Sequence, residues 1–413
     1  MRLWLGVLVL FAGAIRAETL TVEQAVAEAV EKNVGLLAER ANIAVAEARI
    51  VTARLRPNPV FTAGGNHLDL LGTRFNDVNG GGPSELTVSS EFTVERGGKR
   101  RARTEEAQAA RSVAELRFQD AVRTLTLEVQ NAFVDVLLAK STVALARENF
   151  DSAAKIVDVN AARVKAGEIA ELELIRSRLA ALQSENALRV AEMKVRTSLA
   201  RLQTVMGRAK PSATFDVAGE LRRDRVIPTL EEIQRLASGQ RPDLNALRRD
   251  VARAAAEKRL QVARSKPDLT LGADYIRQQV NAKANSLSFE IGIALPLFDR
   301  NQGEIARAAV EERQAELRVR ALQAAIAGEA ETAWRQLATA RDLLDSIESR
   351  MLQQARDVRE ITQFSYRRQE ATLLEMLDAQ RAFNETMQAY NEARAEYARS
   401  LYLVDSIAGR TNP

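Results

Sequence analysis

Side chains that ordinarily carry covalent or metal chemistry are almost missing from this sequence. It contains no cysteine, so there is no thiolate nucleophile, thiolate metal site, disulfide or acyl-cysteine anchor. His67 is the single histidine and reads as an ordinary polar residue; a His-based site is excluded, and no Ser/His/Asp arrangement or glycine-rich phosphate motif occurs. Carboxylates are plentiful, but pairs such as Glu375 and Asp378, three apart, read on spacing alone as the polar face of a helix. The expectation is no catalytic residue, no metal site and no cofactor: not an enzyme.

Charge points the same way. Lys and Arg number 59 against 55 Asp and Glu, a net +4, and both signs are mixed along every helical stretch. That is a solvated, ion-paired surface and not a nucleic-acid footprint. Residues 1–17 read as a secretory signal: Arg2, an apolar run over 3–14, then small residues with Ala14 and Ala17 as cleavage points. Its removal takes away Arg2 and Arg16, leaving about +2. The apolar run is short of the roughly 20 residues of a membrane span, and no later segment reads as a membrane helix.

The elements around these sparse residues are unusually long. Nine prolines leave two proline-free stretches, 84–210 and 297–412, rich in Ala, Leu, Glu, Arg and Gln, which lose least on entering a helix. The chain is also written twice. At an offset of 208, Glu23, Leu36, Arg40 and Pro59 recur as Glu231, Leu244, Arg248 and Pro267. At 201, Leu86, Glu115, Leu116, Arg117 and Glu128 recur as Leu287, Glu316, Leu317, Arg318 and Glu329. At 202, Glu168, Leu172, Glu173 and Gly207 recur as Glu370, Leu374, Glu375 and Gly409. The predicted organisation is a signal peptide (1–17), a first repeat (18–207), a connector (208–228) carrying Arg222, Arg223 and Arg225, a second repeat (229–409) and a tail (410–413). Each repeat reads as a helical segment (21–56; 229–265), two strands (about 60–70 and 85–95; about 268–277 and 286–295), a very long helix, a short break and a returning helix.

Both long features carry a pattern. In 86–95 Leu86, Val88, Phe92 and Val94 alternate with Thr87, Ser89, Glu91, Thr93 and Glu95; 286–295 and 269–275 alternate likewise. Period two over about ten residues suits a tilted transmembrane strand, and on pattern alone it also suits the half-buried face of a soluble sheet. Export without a spanning helix favours the membrane. Since about eight strands are the practical minimum for a barrel, four strands per chain require oligomerisation: two copies make eight strands, three make twelve. From 99 to 166 no helix breaker occurs, a span of about 100 Å at ~1.5 Å per residue. Val122, Leu125, Val129, Ala132, Val136, Ala139, Val143, Ala146 and Phe150 form one 3–4 seam, and Leu127, Val134, Leu138, Leu145 and Ile156 a second. Two seams let one helix pack neighbours on both sides; a plain coiled-coil hairpin of a scaffold or adaptor is the alternative.

Repeat, paired strands and long helices together resemble the TolC-like outer-membrane efflux proteins from residue 18 onward. The local motifs are Gly97-Gly98-Lys99-Arg100 and Pro296-Leu297-Phe298-Asp299-Arg300-Asn301-Gln302-Gly303, which look most like the heavy-metal (cobalt-zinc-cadmium type) branch. The resemblance implies a mainly α fold with a small β part: a homotrimer whose long helices form a periplasmic α-barrel and whose strands form a twelve-stranded outer-membrane β-barrel in lipid. It implies the exit duct of a tripartite pump for metal ions or small toxic compounds, working with a periplasmic adaptor and an inner-membrane transporter. By the same resemblance Val164, Gly167, Glu168, Ile169, Leu172, Gln369, Glu370, Ala371, Thr372 and Leu374 lie at the adaptor-docking tips, and Tyr366, Glu375 and Asp378 fall at the periplasmic gate. Ala371 stands where the family has a basic gate residue. A type I-like secretion conduit in the same fold is the alternative, and a periplasmic coiled-coil adaptor a more remote one.

Overall fold

The computed structural model describes residues 18–68, 70–72, 84–279 and 283–410; the leader expected at 1–17, most of the loop after the first long strand, and residues 411–413 lie outside them. Along the chain run β1 (Glu18–Leu20), α1 (Val22–Lys32), α2 (Val34–Arg54), β2 (Val60–Asn66), β3 (Glu85–Val94), α3 (Lys99–Lys165), α4 (Glu171–Val205) and β4 (Phe215–Val217). Then follow α5 (Leu230–Gln240), α6 (Pro242–Arg264), β5 (Leu269–Gln279), β6 (Lys283–Ile293), α7 (Gln302–Ser346), a π-helical turn (Ile347–Met351), α8 (Leu352–Arg367) and α9 (Leu373–Ile407). The helical segments expected over 21–56 and 229–265 are each two helices. Asn33 ends α1 and its side chain accepts the Leu36 N–H at 3.0 Å, so α2 starts afresh; Pro242 opens α6 as a proline at a helix start does. Two short strands were not anticipated: β1 and β4 pair in parallel.

Two units make up the chain, Glu39–Gln119 with Pro242–Ala324, and Met1–Ala38 with Asp120–Arg241 and Ala325–Pro413. The first holds an antiparallel sheet in the order β2-β3-β5-β6. Its register sets Phe92 opposite Leu271 and Leu271 opposite Ile291; Val88 opposite Tyr275 and Tyr275 opposite Leu287. Opposed residues share a face, so the alternation read along single strands adds up to one mainly apolar face, largely exposed, with Leu269 and Ala273 half-buried and Arg277 opposite Leu86 toward its far end. Phe61 and Phe92 meet on it edge to face, centroids 6.3 Å apart. The other face carries Thr, Ser and the carboxylates Glu85, Glu91, Asp274 and Glu290, with no Lys or Arg among its paired residues.

Helices dominate the second unit. The first seam of α3 packs on α4, where Ala146 meets Leu188 and Ala191 with Val143 and Phe150 alongside. The second packs on α9, where Val134 meets Ala395, Ala398 and Tyr402 with Leu127 and Leu138 alongside. One helix with two seams and two partners is what the doubled 3–4 pattern required. One 18-residue window of α3 is long and apolar enough to cross a membrane, contrary to the expectation that no later segment is; 56% of it is buried, and these two seams account for its hydropathy.

Duplication is visible in three dimensions. Gly207 (φ 84°) follows α4 and lies on the α1–α2 junction, while Gly409 (φ 77°) follows α9 and lies on the α5–α6 junction. The next residues repeat the match: Arg208 binds Glu28 at 2.7 Å, and Arg410 binds Glu232 at 3.4 Å. Burial and the Arg208 guanidinium act oppositely on Glu28, and the guanidinium wins, holding its carboxyl below the usual range. The offset between the halves grows from 201 at Glu128/Glu329 to 202 at Glu168/Glu370. A π-turn is a one-residue insertion in an α-helix, and the turn at Ile347–Met351 falls between those points. Gly328, inside α7, faces open space and nothing in the structure explains it.

Candidate functional site

The two helix reversals have one geometry. After α3, Gly167 takes a left-handed φ of 76°, and Glu168 N–H donates to Arg163 O at 2.9 Å while Gly167 N–H donates to Val164 O at 3.0 Å. After α8, Gln369 takes φ 64°, Glu370 N–H donates to Ser365 O at 2.9 Å and Gln369 N–H to Tyr366 O at 3.1 Å. These are Schellman-type ends, built once on glycine and once on a residue that pays about 1–2 kcal/mol for a left-handed backbone. Gln369 Nε2 donates to Glu168 Oε2 at 3.2 Å, joining the two turns. The residues expected at the tips therefore come together: Gly167, Glu168, Leu172, Gln369, Glu370, Thr372 and Leu374 are exposed, and Val164, Ile169 and Ala371 half-buried.

Tyr366, Glu375 and Asp378 have three different surroundings. Tyr366 is 6% exposed and packs with Leu373 and Met376 beside Ile156 and Ala371. Its hydroxyl donates to Asn160 Oδ1 at 2.7 Å, and the Arg163 guanidinium sits 5.4 Å from its ring centroid while donating to Arg367 O at 2.8 Å. Glu375 completes a capping box at the start of α9: Thr372 N–H donates to its Oε2 at 2.7 Å, and Glu375 N–H donates to Thr372 Oγ1 at 3.2 Å. Those donors hold its carboxyl below the ordinary carboxylate range. Asp378 is one turn further on, its side chain 61% exposed, with Arg381 at 4.0 Å. Spacing of three suggested one polar face; the cap gives the two acids separate work.

Asn160, Arg163 and Arg359 were missed by sequence reasoning. Asn160 is fully buried and its Nδ2 has no partner. Arg359 binds Glu148 at 2.6 Å and covers the Phe383 ring at 3.6 Å. A polar residue inside an apolar seam was the available signal for Asn160; nothing local distinguished the arginines. Tyr366→Phe should leave both polar ends of Asn160 unpaired and cost about 1–2 kcal/mol, read as faster trypsin cleavage at the 163–171 turn with the rest of the chain resistant; an unchanged cleavage rate would remove this contact from the tip's stability.

Two helices of this unit keep apolar stripes that nothing among the described residues covers. On α4 these are Leu172, Ile175, Leu179 and Leu182; on α8, Val358, Ile361 and Phe364. The α4 stripe follows the 3–4 spacing that α3 uses against its neighbours, and the α8 stripe recurs every third residue.

Known proteins resemble this chain over most of its length. Residues 25–208 and 234–410 match the family model described as Outer membrane efflux protein. The cobalt-zinc-cadmium resistance protein CzcC of Cupriavidus metallidurans is 26% identical over 396 residues, covering 95% of this chain and 91% of that protein. The pyoverdine export outer membrane protein OpmQ of Pseudomonas putida is 26% identical over 369 residues, covering 84% of this chain and 76% of that protein. Among solved structures, CusC superimposes with a TM-score of 0.76 at 15% identity, covering 97% of this chain and 95% of that one. The Campylobacter jejuni outer membrane channel CmeC gives 0.75 at 16% identity, covering 94% of this chain and 86% of that one. At such identities the superpositions establish likeness of fold.

Proposed function

From the chain's membership of the outer membrane efflux protein family, we propose that it is the outer-membrane exit duct of a tripartite pump, a passive conduit for metal ions or small toxic compounds. The observation that carries the duct is the sheet, apolar on one face and polar on the other, with β2 and β6 as edges that no other described strand pairs. An open edge in lipid leaves backbone groups unsatisfied, so copies of the chain close the sheet on one another. The uncovered stripes of α4 and α8 support the same closure among the helices, and three copies make the twelve-stranded barrel. The paired tips are the docking surface for a periplasmic adaptor, which links the duct to an inner-membrane transporter.

Metal cargo is supported by the relative named for cobalt-zinc-cadmium resistance and by the carboxylates on the cation-free polar face. The relative named for pyoverdine export favours a small organic cargo as the second reading. Deleting the gene should sensitise the cell to cobalt, zinc or cadmium. Sensitivity to organic compounds alone would select the second reading, and loss of protein secretion alone would refute efflux.

At the gate, three copies of Asp378 around a bore repel one another and attract cations. Asp378→Asn should lower cation-over-anion permeability roughly two- to threefold in single-channel recordings; an unchanged reversal potential would return Asp378 to a solvated helix face. Glu375→Ala should remove the acceptor of the capping box and speed proteolysis of the tip. Because the folded Glu375 carboxyl is depressed, its contribution is complete above the unfolded value and disappears as pH falls through the folded one. The wild-type tip should therefore loosen only in acid, and Glu375→Gln should remove that pH dependence.

A further inference from the structure

Mixing of charge holds along the helices but breaks down where strands meet helices. The register places all four strand–helix junctions at one end of the sheet: Val60 faces Glu91, Val94 faces Leu269, and Leu269 faces Ile293. Arg54 and Arg56 lie just before β2, Arg96 and Arg100 just after β3, Arg264 and Lys266 before β5, and Arg300 after β6. All seven are exposed, and none has a carboxylate within ion-pair distance among the described residues. The carboxylates at the same junctions are engaged. Glu95 pairs with Arg103 and Asp268 with Lys99 at 2.8 Å, and Asp299 accepts the Asn301 N–H at 2.8 Å.

Beside these cations are side chains that water does not favour. A groove of about 700 Å³ is lined by Arg264 and Lys266 together with Leu295, Leu297 and Phe298. Phe298 is 91% exposed, and it is held there by a fixed elbow. Asn301, at φ 58°, donates to Gln261 O at 2.8 Å and to Gln261 Oε1 at 3.0 Å, and Leu297 N–H donates to Leu295 O at 2.9 Å. The groove continues the apolar strand β6, whose Ile291 and Ile293 are also exposed.

We propose that the strand–helix junctions form a basic collar that binds anionic phospholipid of the periplasmic leaflet, Arg264, Lys266 and Arg300 taking the phosphate headgroup while Leu295, Leu297 and Phe298 enter the glycerol–acyl boundary. The proposal rests on the sheet standing in the outer membrane with its helices toward the periplasm. Cations above an apolar wedge match a leaflet boundary, where charge meets phosphate and aromatic rings sit at headgroup depth. The collar would set the depth of the barrel in the bilayer.

The test uses the full-length protein reconstituted in phosphatidylcholine vesicles containing spin-labelled phosphatidylglycerol or spin-labelled phosphatidylcholine. Wild type should favour the anionic lipid about fivefold at low salt, and the preference should fade toward parity at about 0.5 M salt. Arg264→Ser/Lys266→Ser/Arg300→Ser should lose it while conductance and oligomeric state stay as in wild type. A nitroxide on Phe298→Cys, unique in a chain without cysteine, should be more accessible to oxygen than to an aqueous nickel chelate. Equal association of both lipids with wild type would overturn the proposal, as would a triple variant that shifts ion selectivity but keeps the lipid preference, since its cations would then line the bore. A chain that neither inserts nor conducts would refute the membrane placement, a failure distinct from a conducting channel with no lipid preference.

Discussion

Phe289→Arg is expected to abolish assembly in the outer membrane, while Ser288→Arg, one residue away, is expected to be tolerated. Phe289 is 77% exposed, lies near the middle of β6 and faces Ala273 across the ladder, on the apolar side of the sheet. A lipid-facing Arg at mid-bilayer costs about 2–4 kcal/mol, and the proposed trimer would repeat the cost three times, roughly 6–12 kcal/mol, comparable to the whole stability of a domain. Ser288 faces Asp274 on the polar side, where an added guanidinium meets water and carboxylates. The measurement is the amount of protein in the outer-membrane fraction and its heat-modifiable oligomer on semi-native gels. Equal yields for the two variants would mean that the apolar face does not meet lipid.

Gly207→Ala and Gly409→Ala should each destabilise the helical unit by about 3 kcal/mol or more. Both glycines have left-handed backbones, which cost an L-residue about 1–2 kcal/mol. A Cβ on Gly207 would also lie 2.7 Å from Asn33 Cα and from Lys32 O; on Gly409, 2.8 Å from Arg241 N and Gln240 C. Backbone cannot swing aside as a flexible side-chain tip can, so the α1–α2 and α5–α6 junctions would have to shift. Gly328→Ala is the contrast. Its Cβ meets nothing within 4 Å, and glycine inside a helix costs about 1 kcal/mol relative to alanine, so this variant should gain stability. Thermal unfolding in detergent reads all three. Neutral results at 207 and 409 would show that these junctions are loose; a loss at 328 would point to a second chain lying close to that helix.

Much of the fold was legible in the sequence because it is written in short periods. Alternation of two marked β3, β5 and β6 almost to their ends; β2, weakly patterned, is shorter than expected and stops at Asn66. The 3–4 spacing through Val129, Val136 and Val134 marked both seams of α3, and the paired Gly207 and Gly409 marked the duplication. The break at Asn33 was missed because Asn is tolerated within a helix, and only its side-chain bond to Leu36 N–H reveals a new start. β1 and β4 escaped notice because three residues carry too little pattern to register.

Taken alone, the sequence determined what depends on neighbours a few residues apart: which stretches are strand or helix, which face of each is apolar, and that one plan occurs twice. Tertiary structure decided what depends on residues far apart in the chain. Tyr366 meets Asn160 because α8 runs alongside α3 in the same direction, and Gln369 reaches Glu168 because two separate turns end side by side. Seven cations look dispersed along the chain; pairing of β3 with β5 brings Arg96 and Lys266 to one end of a sheet. Glu375 and Asp378, alike on spacing, differ because a Thr372 N–H needs a partner at the helix start, and the nearer carboxylate supplies it. Periodicity is a local property that sequence states directly; charge density and hydrogen-bond partnership depend on where distant segments meet.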